Sequence, residues 1–274
     1  MPLEEPNVQS IFRTAAILAL GPALAPAVRL TQPAQQAFDA YIASLEARLA
    51  KQHSRAGAYV AVGTGPSPAG AVQVEAVNGG SWAVPGGRIH HWRAAALVPG
   101  ATAKGMLALL RDYDHLSEYY APEVVSAHAL AGGKSGVAMR FRKQQIVTVV
   151  LDAEFEARSG LSGAHRGYSF SRSSHIWQVD QAGSAREHRR PEGEDDGYLW
   201  RLNSYWSFEE RRGGLWIECE AVSLTRDVPA ALGWLVMPVV EALPRASLEF
   251  TLTATKNALA AKSTGGHGNR EAWQ

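Results

Sequence analysis

The sequence predicts an α+β fold in which an antiparallel sheet grips a C-terminal helix. Three observations predict it. From Gly197 to Asp227 the chain reads GYLWRLNSYWSFEERRGGLWIECEAVSLTRD, two alternating runs joined by a short charged Gly-Gly turn. Behind them, Pro238 to Ala261 puts Leu248, Thr251, Leu252, Thr255 and Leu259 on one helical stripe, with Glu249 and Lys256 away from it. Alternation along the first run places Trp200, Leu202, Ser204, Trp206 and Phe208 on one face and Leu199, Arg201, Asn203, Tyr205 and Ser207 on the other. Both faces carry aromatic side chains, whereas a surface strand keeps one face plainly polar, so the sheet is expected to be covered on one side and shielded on the other.

The remaining elements follow from periodicity and punctuation. Pro33 to His53 carries Phe38, Ile42, Leu45 and Leu49 at spacings of four, three and four, an amphipathic helix. Gly57 to Gly80 reads as a linker, a short strand around Val72, Val74 and Val77, and a turn at Asn78-Gly79-Gly80; Pro85-Gly86-Gly87 turns the chain again. Arg88 to Val98 is a strand, followed by a helix from about Thr102, its N-cap, to Tyr113. Val124 to Leu130, Gly136 to Arg142, Ile146 to Ala157 and Tyr168 to Val179 supply further strands in a meander rather than a chain of βαβ units. Asp227-Val228-Pro229 reads as the start of a short helix holding Leu232, Trp234 and Leu235, and Pro244 as the start of a separate last helix.

Composition narrows the function classes. With 274 residues, 46% hydrophobic and 19% charged, the chain can bury a full core, and one sizeable domain with an N-terminal extension is the simplest division. A formal net charge of +1 creates no strong field, so nucleic acid is not an expected partner. The single cysteine, Cys219, forms no internal disulfide and fits no cysteine-rich zinc pattern; neither metal nor other cofactor is expected. Thr14 to Ala25 is apolar, and Ala25-Pro26-Ala27 offers the small-x-small pattern of signal cleavage before Val28, which predicts a periplasmic or secreted protein. The acidic MPLEEPNVQS, Pro22 and Pro26 favour the alternative, a cytoplasmic protein with an extension over residues 1–27. No segment reaches the length of a membrane-spanning helix.

Candidate chemical residues have plain roles. Adjacent His90 and His91 point to opposite faces of a strand and cannot chelate one metal together. Cys219 reads as a small buried hydrophobe, and HRRPEGEDDG (His188 to Gly197) as a solvated loop. No GxSxG, HExxH, P-loop or dinucleotide fingerprint is present; Gly63, Gly65 and Gly70 have the wrong spacing for a phosphate loop.

Asp112-Tyr113-Asp114 within DYDHLSEYYAPEV, the antiparallel strands, and the passage LTRDVPAALGWLVMPVVEALPRASLEFTLTATKNAL through Pro229 and Trp234 carry a family resemblance. Over roughly Arg88 to Ala261 the chain resembles the START and polyketide-cyclase-like (SRPBCC) superfamily, the helix-grip fold. The resemblance implies a curved antiparallel sheet wrapped around a long C-terminal helix, leaving a cavity that binds lipids, sterols, polyketides or other hydrophobic molecules. It divides the chain into an N-terminal helix and linker (28–87), a ligand-binding domain (88–262) and a disordered tail (263–274).

The expected function is therefore binding or transport of a hydrophobic small molecule; no protein partner is identified. A turn at Glu209 to Gly214 would set Phe208 near Trp216, Trp206 near Glu218, Ser204 near Glu220 and Arg201 near Ser223. The face bearing the two glutamates is then outward, its tryptophans covered by the N-terminal helix or a partner. Arg201, Asn203, Tyr205, Ile217, Cys219, Ala221 and Ser223 line the cavity, with Arg201 anchoring a polar head. Two alternatives use the same strands: a cyclase, dehydratase or hydrolase in which Arg201 polarises a carbonyl and Tyr205 or Glu220 moves protons, or an interaction module docking through an exposed Trp206 face.

Overall fold

Nine antiparallel strands form the frame of the protein in a computed structural model that describes residues 28–55, 57–61, 71–132, 135–144, 148–227 and 230–265. In chain order the elements are β1 (Val28–Arg29), α1 (Gln32–Ser54), β2 (Gln73–Val84), β3 (Gly87–Val98), α2 (Ala103–Arg111) and α3 (Leu116–Tyr119). They continue as β4 (Val124–Ala129), β5 (Gly136–Gln144), β6 (Thr148–Leu161), β7 (Arg166–Asp180), β8 (His188–Arg189) and β9 (Glu194–Asp195). β10 (Arg201–Arg211), β11 (Gly214–Thr225) and α4 (Ala230–Gly265) complete the chain. The sheet runs β2-β3-β11-β10-β7-β6-β5-β4, with β8 paired to β7, while β1 and β9 form a separate pair. β2 is thus part of the sheet.

The two helices α4 and α1 lie on opposite faces. Trp206, Phe208, Ile217 and Cys219 meet Leu248, Leu252 and Leu259 of α4, together with Met106 and Leu109 of α2, on the inner face. On the outer face, Phe38, Ile42, Leu45 and Leu49 of α1 pack on Ile89, Tyr205, Val222 and Leu224. Thr31 caps α1 by accepting from the Ala34 amide at 3.3 Å, and Thr102 caps α2 by accepting from the Gly105 amide at 3.1 Å.

Four expectations change. The β10–β11 loop is two residues, Arg212 and Gly213, because Arg211 pairs with Gly214; the register sets Trp206 opposite Cys219 and Phe208 opposite Ile217. That is one residue from the expected pairing, and with a side-chain period of two it exchanges which β11 residues share a face with each β10 residue. Asn78-Gly79-Gly80 is an irregularity inside β2, all three at positive φ, rather than a turn ending a strand. α4 is one helix of 36 residues that carries Pro238 and Pro244 inside it, so a helix of this length tolerates the loss of two backbone donors. His188 to Gly197 is not wholly solvated: Asp195 is buried and accepts from the Gly197 amide at 2.6 Å and Trp200 Nε1 at 3.1 Å. The expected export signal, Pro229 and the Gly63–Gly70 stretch lie outside the described residues, as does the tail beyond Gly265.

Between α1 and the sheet sits a buried ionic cluster. Glu220 Oε2 accepts from Arg48 Nη2 at 2.5 Å and lies 2.9 Å from His91 Nε2, while Arg93 Nε stands 3.2 Å from Oε1. The other His91 nitrogen meets Tyr41 Oη at 2.7 Å, and Glu218 accepts from Gln52 Nε2 at 3.3 Å and the Ala61 amide at 2.8 Å. Burial pushes the Glu220 carboxyl up, but the His91 hydrogen bond and the Arg93 and Arg48 charges outweigh it and hold the group at about 2. A carboxyl held below its unfolded pKa adds stability above that value and loses it as pH falls through the folded one. Unfolding free energy is therefore expected to drop by about 3 kcal/mol on this account between about pH 5 and pH 2. Urea titrations across that range should show a flatter acid limb for Glu220→Gln; an unchanged limb would contradict the cluster's role.

Candidate ligand-binding site

Cross-strand pairing builds the centre of the inner face from small side chains. One row crosses the sheet as Ala157, Ser171, Ser204, Ala221 and Trp92, and the next as Ser159, Ser169, Trp206, Cys219 and Ala94. Ser171, Ser204 and Ala221 remain partly exposed although they lie mid-sheet with a hydrogen-bonded strand on either side. Accessible surface at such positions means that α4 does not close onto them, and a trough is left between helix and sheet.

Two apolar clusters bound this trough. Towards α2 stand Trp206, Phe208, Met106 and Leu109 with Leu248 and Leu252. Towards β4 stand Leu151, Phe155 and Ile176, with Met139, Leu202 and Phe250 partly buried against them. Tyr120 Oη and Thr255 Oγ1 share a buried 2.8 Å hydrogen bond that ties the end of α3 to α4, and burial pushes the Tyr120 hydroxyl up to about 12. A cleft of about 350 Å³ between α3 and α4 is lined by Tyr119, Phe250, Ala254 and Asn257. Phe250 and Ala254 also pack on the second cluster, so the cleft adjoins it. Another, of about 400 Å³, is lined by Arg111, Tyr113, Ala157 and Ser159, and Ala157 belongs to the trough's central row. Arg111 fixes that rim by donating to Ser159 Oγ at 2.9 Å and Ser159 O at 2.6 Å.

At the α3–α4 rim, Asp112 accepts from Tyr119 Oη, sits 2.6 Å from His115 Nδ1 and meets Lys262 Nζ at 3.1 Å. The Tyr119 and His115 hydrogen bonds hold the Asp112 carboxyl well below the usual carboxylate range. Asp112, the first residue of the Asp-Tyr-Asp segment, thereby fastens α3 to the last helix.

The structure divides the expected site residues. Ile217, Cys219, Ala221 and Ser223 face α4, whereas Arg201, Asn203 and Tyr205 face outward, because the register is one residue from that expected. Arg201 Nη1 donates to Glu192 Oε1 at 3.1 Å and to Trp200 O at 2.7 Å, an ion pair rather than a ligand anchor. Asn203 Nδ2 donates to Tyr205 Oη at 3.1 Å, which donates to Glu46 Oε1 at 2.8 Å. With Glu220 engaged by Arg48 and His91, the three groups of the expected catalytic set all have partners away from the trough. Trp206 is buried under α4 and so offers no exposed docking face; Trp200 precedes β10 and packs beneath α1. Burial raises the Cys219 thiol well above its ordinary value, in keeping with a packing role.

Sequence reasoning missed Ser169, Ser171, Met139, Phe155 and Phe250. The signal for the serines was present in YSFSRSS, where Ser169, Ser171 and Ser173 recur every second residue opposite Tyr168, Phe170 and Arg172. His90 and His91 do part to opposite faces, the first held by Ser81 at 3.0 Å and Thr225 at 3.1 Å.

A curved antiparallel sheet gripping one long C-terminal helix is the helix-grip fold. No family model and no curated protein sequence matches the chain. Among solved structures it is similar to a START superfamily protein from Mycobacterium smegmatis, at 12% identity and a TM-score of 0.39 over 62% of this chain and 96% of that one. It is also similar to a STAR-related lipid transfer protein from Xanthomonas axonopodis, at 13% identity and a TM-score of 0.40 over 70% and 98%. An aromatase/cyclase from Streptomyces sp. R1128 shows 12% identity and a TM-score of 0.40 over 64% and 94%.

Replacing Arg201 distinguishes an ion pair from an anchor. Arg201→Met is expected to cost less than about 1 kcal/mol of stability, because the pair with Glu192 is partly exposed. The rise in melting temperature produced by a bound ligand should be the same in wild type and variant; loss of that rise would restore the anchor role.

Proposed function

We propose that the protein binds and carries an apolar small molecule in the trough beneath α4. The reading is supported by one observation above the others: small side chains, Ala157, Ser171, Ser204 and Ala221, span four adjacent strands where large ones would be needed to fill the space. Apolar walls on two sides with few directional groups suit a hydrophobic ligand. Glu118, Tyr119 and Asn257 give the α3–α4 cleft a polar rim around Phe250 and Ala254, a suitable way in. No helix among the described residues is long and apolar enough to cross a membrane. On the pattern of Thr14 to Ala27, a periplasmic or secreted carrier is the proposed setting.

Native mass spectrometry of protein purified from its own host is expected to show an adduct that organic extraction releases. Ala221→Phe, which fills the centre of the trough, should lower occupancy by more than about tenfold while the fold persists, since the position is not tightly enclosed. Absence of an adduct, together with no binding of 1-anilinonaphthalene-8-sulfonate, would overturn the proposal.

A further inference from the structure

The serines of these strands fall into two groups. Ser207 on the outer face meets His53 Nε2 at 2.8 Å, Ser173 Oγ accepts from the Leu202 amide at 3.0 Å, and Ser174 donates to Glu154 O at 3.2 Å. Ser169, Ser171 and Ser204, which face α4, have no side-chain hydrogen-bond partner among the described residues. Ser169 is 7% exposed as a residue, and its hydroxyl, beside Trp206, keeps accessible surface rather than a protein partner. Accessible hydroxyls with no protein partner are left to water or to a ligand.

We infer that the ligand of the trough is an apolar frame bearing hydroxyl or carbonyl groups along one edge, not a bare hydrocarbon chain. This rests on the trough being the binding site. A hydrocarbon entering it would strip water from three hydroxyls and return nothing, which costs affinity at each one. A hydroxyl both donates and accepts, so ligand hydroxyls or carbonyls satisfy these groups equally well. The spacing is set by the sheet. Ser171 and Ser204 are direct partners with Cα atoms about 5 Å apart, and Ser169 lies two residues along β7 from Ser171, about 7 Å away. Polar groups at those separations on one edge of a flat molecule reach two of the three serines while the rest of the frame lies against Trp206 and Leu202.

Paired probes test this. Displacement of 1-anilinonaphthalene-8-sulfonate by 2,7-dihydroxynaphthalene and by naphthalene compares the same frame with and without hydroxyls. The dihydroxy compound is expected to displace the dye at a concentration about tenfold lower, as for one or two net hydrogen bonds. The triple variant Ser169→Ala, Ser171→Ala, Ser204→Ala should lose that preference and bind naphthalene as well as wild type or better. The single variants, which keep the fold under the least strain, should each lose about two- to fivefold for the dihydroxy compound alone. Equal displacement by both probes in wild type, or a preference that survives the serine replacements, overturns the inference while leaving the trough as an apolar site. If the dye and both probes fail to bind, the trough reading falls and the inference falls with it.

Discussion

Antiparallel pairing of β10 with β11 in the register that sets Trp206 opposite Cys219 decides what every other element meets. Neighbouring partners in a ladder share a face, so this pairing gathers Trp206, Phe208, Ile217 and Cys219 on one side and Tyr205, Glu218, Glu220 and Val222 on the other. The first set is apolar and accepts a helix stripe of leucines. The second mixes carboxylates with aromatic and branched side chains, and no purely apolar helix could cover it without leaving charges unpaired.

α1 answers that requirement. Its Phe38, Ile42, Leu45 and Leu49 bury the apolar part of the outer face, while Glu46, Arg48, Gln52 and His53 reach Tyr205, Glu220, Glu218 and Ser207. Removing one partner of a buried charge costs more than the pair itself contributes, because the remaining ion has lost its water. Each polar contact thus fixes the position of α1 along the sheet as well as its attachment. Arg172, which pairs with Glu46 at 2.7 Å, extends the same attachment to β7, the strand that carries Ser169 and Ser171 on its other side. The outer clamp therefore holds rigid the strands from which the inner trough is made, a link from packing to the shape of the site.

Much of this was legible in the sequence, and the reason for the limit is specific. The leucine stripe of α4, the amphipathic α1 and the Thr102 cap are local patterns, and the structure contains each. Covering the two-glutamate face with the N-terminal helix was also readable, since a buried carboxylate demands a partner. Which β11 residues lay beside Arg201, Asn203 and Tyr205 was not, because it turned on whether the hairpin loop held two residues or three. Gly213 at φ +98° and Gly214 at φ +142° make the tight loop possible, and glycines in ERRGGL allow either length. The split of Arg201 from Ile217, Cys219, Ala221 and Ser223 follows from that one choice. Long-range partners such as Glu192 for Arg201 and Glu46 for Tyr205 leave no local pattern at all.

Space beneath α4 persists because one stretch of the helix is propped on bulk along two flanks. Leu248 and Leu252 rest on Trp206 and Phe208, while Phe250 and Ala254 lean on the cluster around Leu151, Phe155 and Ile176. Between them the sheet offers only serine and alanine. A helix resting on large side chains at two supports cannot also descend to small ones in the middle without giving up contact at both. Serine adds a second reason: closer approach of leucine or phenylalanine would bury hydroxyls with no partner, so packing and hydrogen bonding oppose collapse together. Alanine alone at those positions would leave only the steric argument, and a softer helix could close it. The combination keeps the space open and gives it a polar floor, which ties the shape of the trough to the kind of molecule that would fill it.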